Sequence, residues 1–187
     1  KHLGIARRQG DRVEMRVHPT LIPEQKQLAN VDGVLNAIMI KGDAVGELVL
    51  VGPGAGGAAT ASAVCADLAD IARTAAGSGP ALGVPMGQLK SQTMVPADDI
   101  ESEWYVRLAA SDCAGVMSDI TQVLANHDVS IESLLQNPPQ EDQATVSIVL
   151  LTHVASASVM TAVMQEITAL TEVETDFTLL RVEAFDQ

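Results

Sequence analysis

The chain of 187 residues is 47% hydrophobic and 19% charged, a composition typical of a globular protein and not of a disordered one. It has no apolar run near the roughly 20 residues of a membrane-spanning helix and no targeting leader, so we predict a cytoplasmic protein. The net charge of −13 argues against nucleic acid as a partner. The two cysteines and four scattered histidines indicate neither a disulfide scaffold nor a metal site.

The charge is divided unevenly along the chain. Residues 1–97 carry nine Lys and Arg against eight Asp and Glu, a net charge of +1, whereas residues 98–187 carry two against sixteen, a net charge of −14. A change of this size near Asp98 predicts a domain boundary. Because the first residues already have the pattern of a strand and no initiator Met precedes them, we expect the chain to begin inside a domain.

The first part of the chain predicts strands joined by short turns. Residues 3–8 and 12–18 predict a hairpin, and a short helix is predicted near Pro23. The apolar run 33–40 is typical of a strand covered on both faces, with residues 47–51 pairing back onto it. We therefore predict an antiparallel sheet with helices on it. In the second strand one face is apolar and the other charged: Val13, Met15 and Val17 against Arg12, Glu14 and Arg16.

A glycine-rich turn follows and leads into an Ala-rich helix, predicted from about Ala58 to Ala75. A strand that breaks into glycines before a helix N-terminus presents backbone N–H groups to an anion. The turn matches neither G-x-G-x-x-G nor the Lys-bearing phosphate loop, so a structural turn and a cofactor contact both stay open. The glycines are Gly52, Gly54, Gly56 and Gly57, and the apolar stripe of the helix is Ala58, Ala61, Val64, Leu68, Ile71 and Ala75.

The second part of the chain predicts the order βαββαβ, the split arrangement of ferredoxin-like folds. The predicted strands are 104–110, 129–135, 144–152 and 177–182, and the predicted helices are 114–126 and 159–170. Ser156 or Ser158 is available as the cap of the second helix. The expected buried faces are Val116, Ile120, Val123 and Leu124 on the first helix, and Val159, Val163, Ile167 and Leu170 on the second.

The loop Asp112-Cys113-Ala114-Gly115 lies between the first strand and the first helix of this second part. In one interpretation Asp112 is the helix cap. In the other, Gly115 lets a small ligand approach the helix N-terminus, where backbone N–H groups can hold a carboxylate. Cys113 has no base placed near it by the pattern, which favours an inert thiol over a nucleophile.

Several segments resemble the homoserine dehydrogenase family. The end of that family's substrate domain is matched by RVHPTLI (16–22), VLNAI (34–38), Gly42-Asp43 and GPGAGGAATASAV (52–64) with Asp67. The ACT domain that bacterial members carry at the C-terminus is matched by WYVRL (104–108), Asp112–Met117 and IESLLQ (131–136). The resemblance covers essentially the whole chain, in the order of the family.

The resemblance implies an α+β fold in three parts. Residues 1–80 would be the C-terminal part of a substrate and dimerisation domain, a partial mixed or antiparallel sheet with helices. Residues 81–100 would be a linker, and residues 101–187 a ferredoxin-like βαββαβ ACT domain. The apolar strands of the first part are expected at a subunit interface, because they cannot cover themselves.

The function implied is the NAD- or NADP-dependent interconversion of L-homoserine and L-aspartate 4-semialdehyde, on the route to threonine, methionine and isoleucine. The family's Rossmann domain and its catalytic Lys and Asp/Glu have no match here, so we expect no catalytic residue and no activity of the chain alone. No metal is implied. Gly56, with Gly54 beside it, matches the position that lies against the nicotinamide cofactor, where a missing Cβ permits close approach.

The resemblance also implies an amino-acid effector, threonine, at Asp112, Gly115 and Ser130, usually across a dimer interface. The expected partners are thus substrate, effector and further copies of the chain, with no nucleic acid and no membrane. The family pattern has Pro where Ala114 stands, and many relatives have Asn where Ser130 stands. A non-catalytic amino-acid-binding or oligomerising module is therefore the alternative.

Overall fold

The computed structural model describes residues 1–75, 86–137 and 145–185. These residues form nine strands and three α-helices, which confirms the predicted α+β class. In chain order the elements are β1 (His2–Gln9), β2 (Arg12–Leu21), β3 (Leu35–Gly42), β4 (Gly46–Pro53), α1 (Gly57–Ala75), β5 (Thr93–Met94), β6 (Glu101–Ser111), α2 (Val116–Asn126), β7 (Ile131–Asn137), β8 (Thr145–Ser156), α3 (Ala157–Ile167) and β9 (Val173–Val182). The short helix predicted near Pro23 is a 3-10 turn at Gln27–Asn30.

The chain forms two compact units, and they differ from the predicted division. Residues 1–23 join residues 92–187 in one unit, and residues 24–91 form the other. The prediction of one antiparallel sheet in the first part was wrong, because β2 pairs in parallel with β9 and so carries the β1–β2 hairpin into the sheet of the C-terminal part. The boundaries 1–80, 81–100 and 101–187 stay a prediction about family domains.

The C-terminal part of the first unit has the predicted ferredoxin-like topology. Its strands run in the spatial order β9-β6-β8-β7, with antiparallel neighbours throughout. The helices α2 and α3 bury their apolar faces in one hydrophobic core with these strands. The face predicted for α2 is confirmed. On α3 the fully buried residues are Met160, Val163, Met164 and Ile167, whereas Val159 is only partly buried, as is Leu170, which lies beyond the end of the helix.

The β1–β2 hairpin turns Glu14 and Arg16 of its charged face inward, whereas Arg12, next to the turn, is exposed. Glu14 is completely buried and Arg16 nearly so, whereas Met15 and Val17 on the other face are 60% and 72% exposed. Buried charges are tolerated only when they are paired. Here Arg16 contacts Glu14 at 2.9 Å and Glu183, just after β9, at 2.7 Å. Alternation had predicted the two faces correctly but not which of them points inward.

The second unit contains the β3–β4 hairpin and α1. We expected β3 to be covered on both faces, but Ile38 is 62% exposed and Ile40 is also exposed. The apolar stripe predicted for α1 is also exposed to solvent, since Val64, Leu68 and Ile71 are each more than half exposed. The described residues of this chain do not bury these side chains, and their expected cover at a subunit interface stays a prediction.

No helix among the described residues is long and apolar enough to cross a membrane. Nor does any group of three or more His, Cys, Asp or Glu side chains lie together as metal ligands would within residues 1–75, 86–137 and 145–185.

Candidate functional site

The glycine turn occupies residues 54–56, between the end of β4 and the start of α1. The Gly54 amide donates to the Val34 carbonyl (2.9 Å), which fixes the turn to the residue before β3. The Thr60 amide donates to the Gly56 carbonyl (3.0 Å) and so begins the helical hydrogen bonds. Gly56 has φ +111°, a region that side-chain-bearing residues rarely adopt.

The space beside Gly54 is already filled by protein. A Cβ at Gly54 would lie 1.1 Å from Nδ2 of Asn36 and 2.9 Å from its Cβ. Asn36 lies on β3, opposite Gly52 of β4, so the hairpin register brings its side chain to the turn. Packing against Asn36 therefore accounts for a glycine at position 54 without a ligand.

The space beside Gly56 is open. Apart from its own backbone and chain neighbours, no heavy atom of the described residues lies within 4 Å of the position that a Cβ would occupy. Gly56 borders a shallow cavity of about 550 Å³ at the start of α1, lined by Pro53, Ala55, Gly56, Gly57, Ala58, Ala59 and Ser62. The first N–H groups of a helix carry partial positive charge and lack intrahelical partners. Of the two glycines predicted to contact a cofactor, Gly56 fits a ligand that packs against bare backbone.

The loop before α2 is exposed along Asp112, Cys113, Ala114 and Gly115. The interpretation of Asp112 as the helix cap was wrong. The N-cap is Gly115, with φ +103° and no side-chain hydrogen bond. Its carbonyl accepts from the Asp119 amide at 2.9 Å, and nothing lies within 4 Å of its Cβ position. The side chain of Asp112 is thus free of the capping role.

Ser130 lies at the other end of the same sheet from Asp112. Ser111, the residue before Asp112, pairs with Thr145 on β8, whereas Ile131, the residue after Ser130, pairs with Thr152. Trp104 also pairs with Thr152, so seven residues of β6 separate the two levels, roughly 23 Å at the usual strand rise. One chain therefore does not bring Ser130 together with Asp112 and Gly115.

Comparison with known proteins gives consistent results. Residues 1–69 match the family model of homoserine dehydrogenase, and residues 105–172 match that of the ACT domain. The chain is 44% identical over 188 residues to the homoserine dehydrogenase of Neisseria gonorrhoeae and 41% identical over 157 residues to that of Pseudomonas aeruginosa. A crystal structure of a homoserine dehydrogenase from Thiobacillus denitrificans matches with a TM-score of 0.85 at 41% identity. The chain belongs to the homoserine dehydrogenase family.

The matches cover a larger share of this chain than of the homoserine dehydrogenases that it resembles. The similarity to the N. gonorrhoeae and T. denitrificans homoserine dehydrogenases covers 98% of this chain but only 43% and 42% of theirs. For the P. aeruginosa homoserine dehydrogenase the shares are 82% and 36%. The chain thus spans less than half the length of the homoserine dehydrogenases that it matches.

Two features of this homoserine dehydrogenase family member were not found from the sequence. One is the packing of Asn36 against Gly54. The sequence signal for it is that Asn36 is a polar residue within the apolar run 33–40. The other is the buried charge cluster around Arg16. The sequence shows that Arg12, Glu14 and Arg16 alternate with apolar residues, but a charged strand face is usually exposed to solvent and not buried.

Proposed function

We propose that this chain is part of an NAD- or NADP-dependent homoserine dehydrogenase. The enzyme would interconvert L-homoserine and L-aspartate 4-semialdehyde in the cytoplasm, in the biosynthesis of threonine, methionine and isoleucine. The observation that carries the proposal is the glycine turn, where Gly56 at positive φ borders open space at the start of α1. Identity of 44% with the N. gonorrhoeae homoserine dehydrogenase supports it.

The chain would contribute one wall of the cofactor site. A bound nicotinamide cofactor supplies or accepts the hydride. Gly56 admits the cofactor because a side chain there would occupy the open space, and the N-terminal amides of α1 add partial positive charge nearby. The side chains that line this cavity belong to Pro, Ala and Ser, which are neither acids nor bases at neutral pH. We therefore place the acid–base groups outside this chain and expect the chain alone to be inactive.

A chimaera tests the assignment. This chain would replace the matching segment of the N. gonorrhoeae homoserine dehydrogenase, and homoserine-dependent reduction of NAD⁺ and NADP⁺ would be measured. We expect activity in the chimaera, and a rise of about tenfold or more in the KM for the cofactor with Gly56→Val, because the valine fills the space beside the backbone and is strained at φ +111°. Gly52→Val is the control, since Gly52 has no neighbour within 4 Å and lies in a strand, where valine is favourable.

Two outcomes would contradict the proposal. One is a chimaera that folds to the size of its parent enzyme and has no activity. The other is a Gly56→Val variant whose cofactor KM equals that of Gly52→Val, because Gly56 would then be a structural turn residue only.

We further propose that the ACT domain binds threonine between two copies of the chain. This second function has its own supporting observation. Asp112 and Gly115 lie at the end of the sheet opposite Ser130 in one chain, so a site that contains all three needs a second copy. Threonine binding at this site is also expected if the chain is an amino-acid-binding module without a catalytic part.

Mixing two variants tests the shared site. Asp112→Ala and Ser130→Ala would each abolish the rise in melting temperature that threonine produces by binding the folded state. In an equimolar mixture that has exchanged subunits, half of the dimers are mixed and each has one intact site. About a quarter of the binding sites should therefore return, measured by calorimetric titration. Two inactive variants with no recovery in verified mixed dimers would contradict a site shared in this way. An unchanged melting temperature for the unaltered chain would leave the ACT domain a structural module.

A further inference from the structure

The glycine at position 54 is not required by its own backbone conformation. Gly54 is not among the glycines at positive φ, whereas Gly56, two residues later, is one of them. Its backbone is therefore open to alanine, which loses less conformational entropy on folding than glycine does. The requirement for glycine comes instead from Asn36, whose side chain occupies the space that a side chain at position 54 would need.

Asn36 and the glycines opposite it share one face of the β3–β4 hairpin. Asn36 pairs with Gly52, and side chains two residues apart on a strand point the same way, so positions 52 and 54 both face the Asn36 side chain. The Asn36 side chain leans toward Gly54 and not toward Gly52, because the Cβ position of Gly52 has no neighbour within 4 Å. Asn36 thus lies across the backbone of the glycine turn.

Strand β3 holds Gly54 through two contacts. One is the hydrogen bond from the Gly54 amide to the Val34 carbonyl at 2.9 Å, and the other is the packing of the Asn36 side chain. Ala55 is the single residue between Gly54 and Gly56, and α1 begins directly after Gly56. The position of the Gly56 backbone therefore depends on the position of Gly54.

The neighbours of Gly54 border the cavity in which we place the nicotinamide cofactor. Pro53, Ala55 and Gly56 line this cavity, whereas Asn36 does not. All of these residues belong to the second compact unit. Asn36 therefore acts on a cofactor in this cavity through the turn, and a shift of Gly54 would move the cavity wall on both sides of it.

We propose that Asn36 is a positioning residue of the cofactor site. Its side chain fills the space beside Gly54 and so holds the turn in the conformation in which the bare backbone of Gly56 lies against the cofactor. A wall that is already ordered before the ligand arrives favours binding, because less freedom is lost on association. This role rests on the proposed function, since it assumes that a nicotinamide cofactor occupies the cavity.

An exchange of side-chain volume between the two positions tests this role in the full chain. Asn36→Gly removes the filling group, and Gly54→Ala in the same molecule places a methyl group in the vacated space. Glycine is chosen at position 36 because the Cβ of an alanine there would still lie 2.9 Å from the new methyl group. We expect hydrogen exchange of the amide at position 54 to be about tenfold faster in each single variant and within about threefold of the unaltered chain in the double variant.

Cofactor affinity is measured in the chimaera with the N. gonorrhoeae homoserine dehydrogenase. The dissociation constants of NADH and NADPH are taken from the fluorescence of the reduced nicotinamide, without homoserine. Each single variant should weaken binding of the preferred cofactor by about fivefold or more, and the double variant should recover to within about twofold. Ala37→Gly is the control and should stay within about twofold, because it also puts a glycine into β3 but alters the opposite face.

Three results would overturn the role of Asn36. The first is that Asn36→Gly changes neither hydrogen exchange nor cofactor affinity. The second is a double variant in which the two single effects multiply, because the two positions would then act independently. The third is a double variant with restored hydrogen exchange and weak cofactor binding, because the carboxamide would then contact the cofactor itself.

These failures are distinct from failure of the proposed function. An unaltered chimaera that binds neither NADH nor NADPH contradicts the proposed function, whereas the hydrogen exchange of the chain alone needs no cofactor. Far-UV circular dichroism verifies the fold of each variant. Both positions are exposed, and Asn36→Ala, which also removes the carboxamide, replaces Asn36→Gly as the single variant if the glycine variant is unfolded.

Discussion

Gly52 and Gly54 lie two residues apart at the end of β4, yet their surroundings differ. Gly54→Ala would place a methyl group 2.9 Å from the Cβ of Asn36, which cannot rotate away because it is fixed to the strand backbone. Overpacking of this kind costs about 1–3 kcal/mol. We expect Gly54→Ala to speed hydrogen exchange of the amide at position 54, which is bonded to the Val34 carbonyl, by roughly tenfold.

Gly52→Ala is the matched control for this prediction. Nothing lies within 4 Å of its Cβ position, so exchange at Gly54 should stay within about twofold of the unaltered chain. Equal exchange rates in the two alanine variants would show that Asn36 does not fill the space beside Gly54.

His18 is held in its neutral form by its surroundings. Burial is the largest cause that lowers the pKa of His18 below its usual 6.5, and the charges of Arg16 and Arg181 act in the same direction. A hydrogen bond with the Pro19 carbonyl and the charge of Glu14 act in the opposite direction. Nδ1 lies 3.0 Å from that carbonyl, while Nε2 is buried and has no hydrogen-bond partner among the described residues. A proton on Nε2 would therefore be a buried charge without an acceptor.

The lowered pKa of His18 predicts a dependence of stability on pH. Below pH 6.5 the unfolded chain binds a proton at His18 that the folded chain resists, so stability rises with pH through this window. The contribution is complete above pH 6.5 and is lost as the pH falls toward the lowered folded-state pKa. We expect His18→Asn to flatten the dependence of the melting temperature between neutral pH and about pH 5. An unchanged slope in that variant would refute the prediction, and His153→Asn, at an exposed position, is the control.

At the scale of the element, α3 depends on one serine for its start. The Val159 amide donates to Ser156 Oγ at 3.3 Å, which satisfies one of the helix N–H groups that lack an intrahelical acceptor. The two candidates from the sequence were Ser156 and Ser158, and the structure selects Ser156. We expect Ser156→Ala to lower the free energy of unfolding by about 1 kcal/mol, measured by urea denaturation.

Ser158→Ala separates capping from the loss of a hydroxyl. Ser158 Oγ lies 3.0 Å from Ser156 Oγ, and the residue is exposed, so removal of its hydroxyl should change stability by less than about 0.5 kcal/mol. A larger effect of Ser158→Ala than of Ser156→Ala would reverse the assignment of the cap.

Features that depend on residues near one another in the sequence could be predicted, whereas features that depend on contacts between distant segments could not. The period of α2 placed Val116, Ile120, Val123 and Leu124 on one face, and the structure buries all four. The same reasoning placed Val163 and Ile167 correctly on the buried face of α3 but missed Met160 and Met164, whose flexible side chains fill the core beside Val163. The cap of α2 was missed because the N-cap position is occupied by Gly115, whose backbone turns at φ +103°, and not by Asp112 with a capping side chain.

The candidate sites show the same division. The glycine turn was found because glycines after a strand are a local signal. The register of β3 with β4 packs Asn36 beside Gly54 and leaves open space beside Gly56. The alternation of residues in the sequence does not determine that register. Likewise, Asp112 and Ser130 were grouped by resemblance, while their separation along the sheet follows from strand pairing.

For the whole molecule, the consequence of the β2–β9 pairing is that one folded unit contains both ends of the chain. Arg16 donates to Glu183, 167 residues later, and to Ser102, 86 residues later. These bonds join the segment that matches the homoserine dehydrogenase model to the ACT sheet. We infer that the β1–β2 hairpin and the ACT sheet unfold together, since breaking a buried ion pair on one side leaves a buried charge on the other.

Arg16→Met tests this cooperativity, because it removes the charge and keeps much of the side-chain volume. Glu14, with no exposed surface, and Glu183, at 8%, would lose their buried cation, which should destabilise the folded chain by roughly 3 kcal/mol. Arg8→Met is the matched control, since Arg8 is exposed and its Nε donates to the Gly10 carbonyl, away from the buried ion pairs. Trp104 fluorescence reports on the ACT sheet and far-UV circular dichroism on the whole chain. If the first unit is one cooperative body, the Trp104 transition in urea should move to lower concentration in Arg16→Met and stay in place in Arg8→Met. A Trp104 transition that does not move in Arg16→Met would mean that the hairpin is attached to the ACT sheet without contributing to its stability.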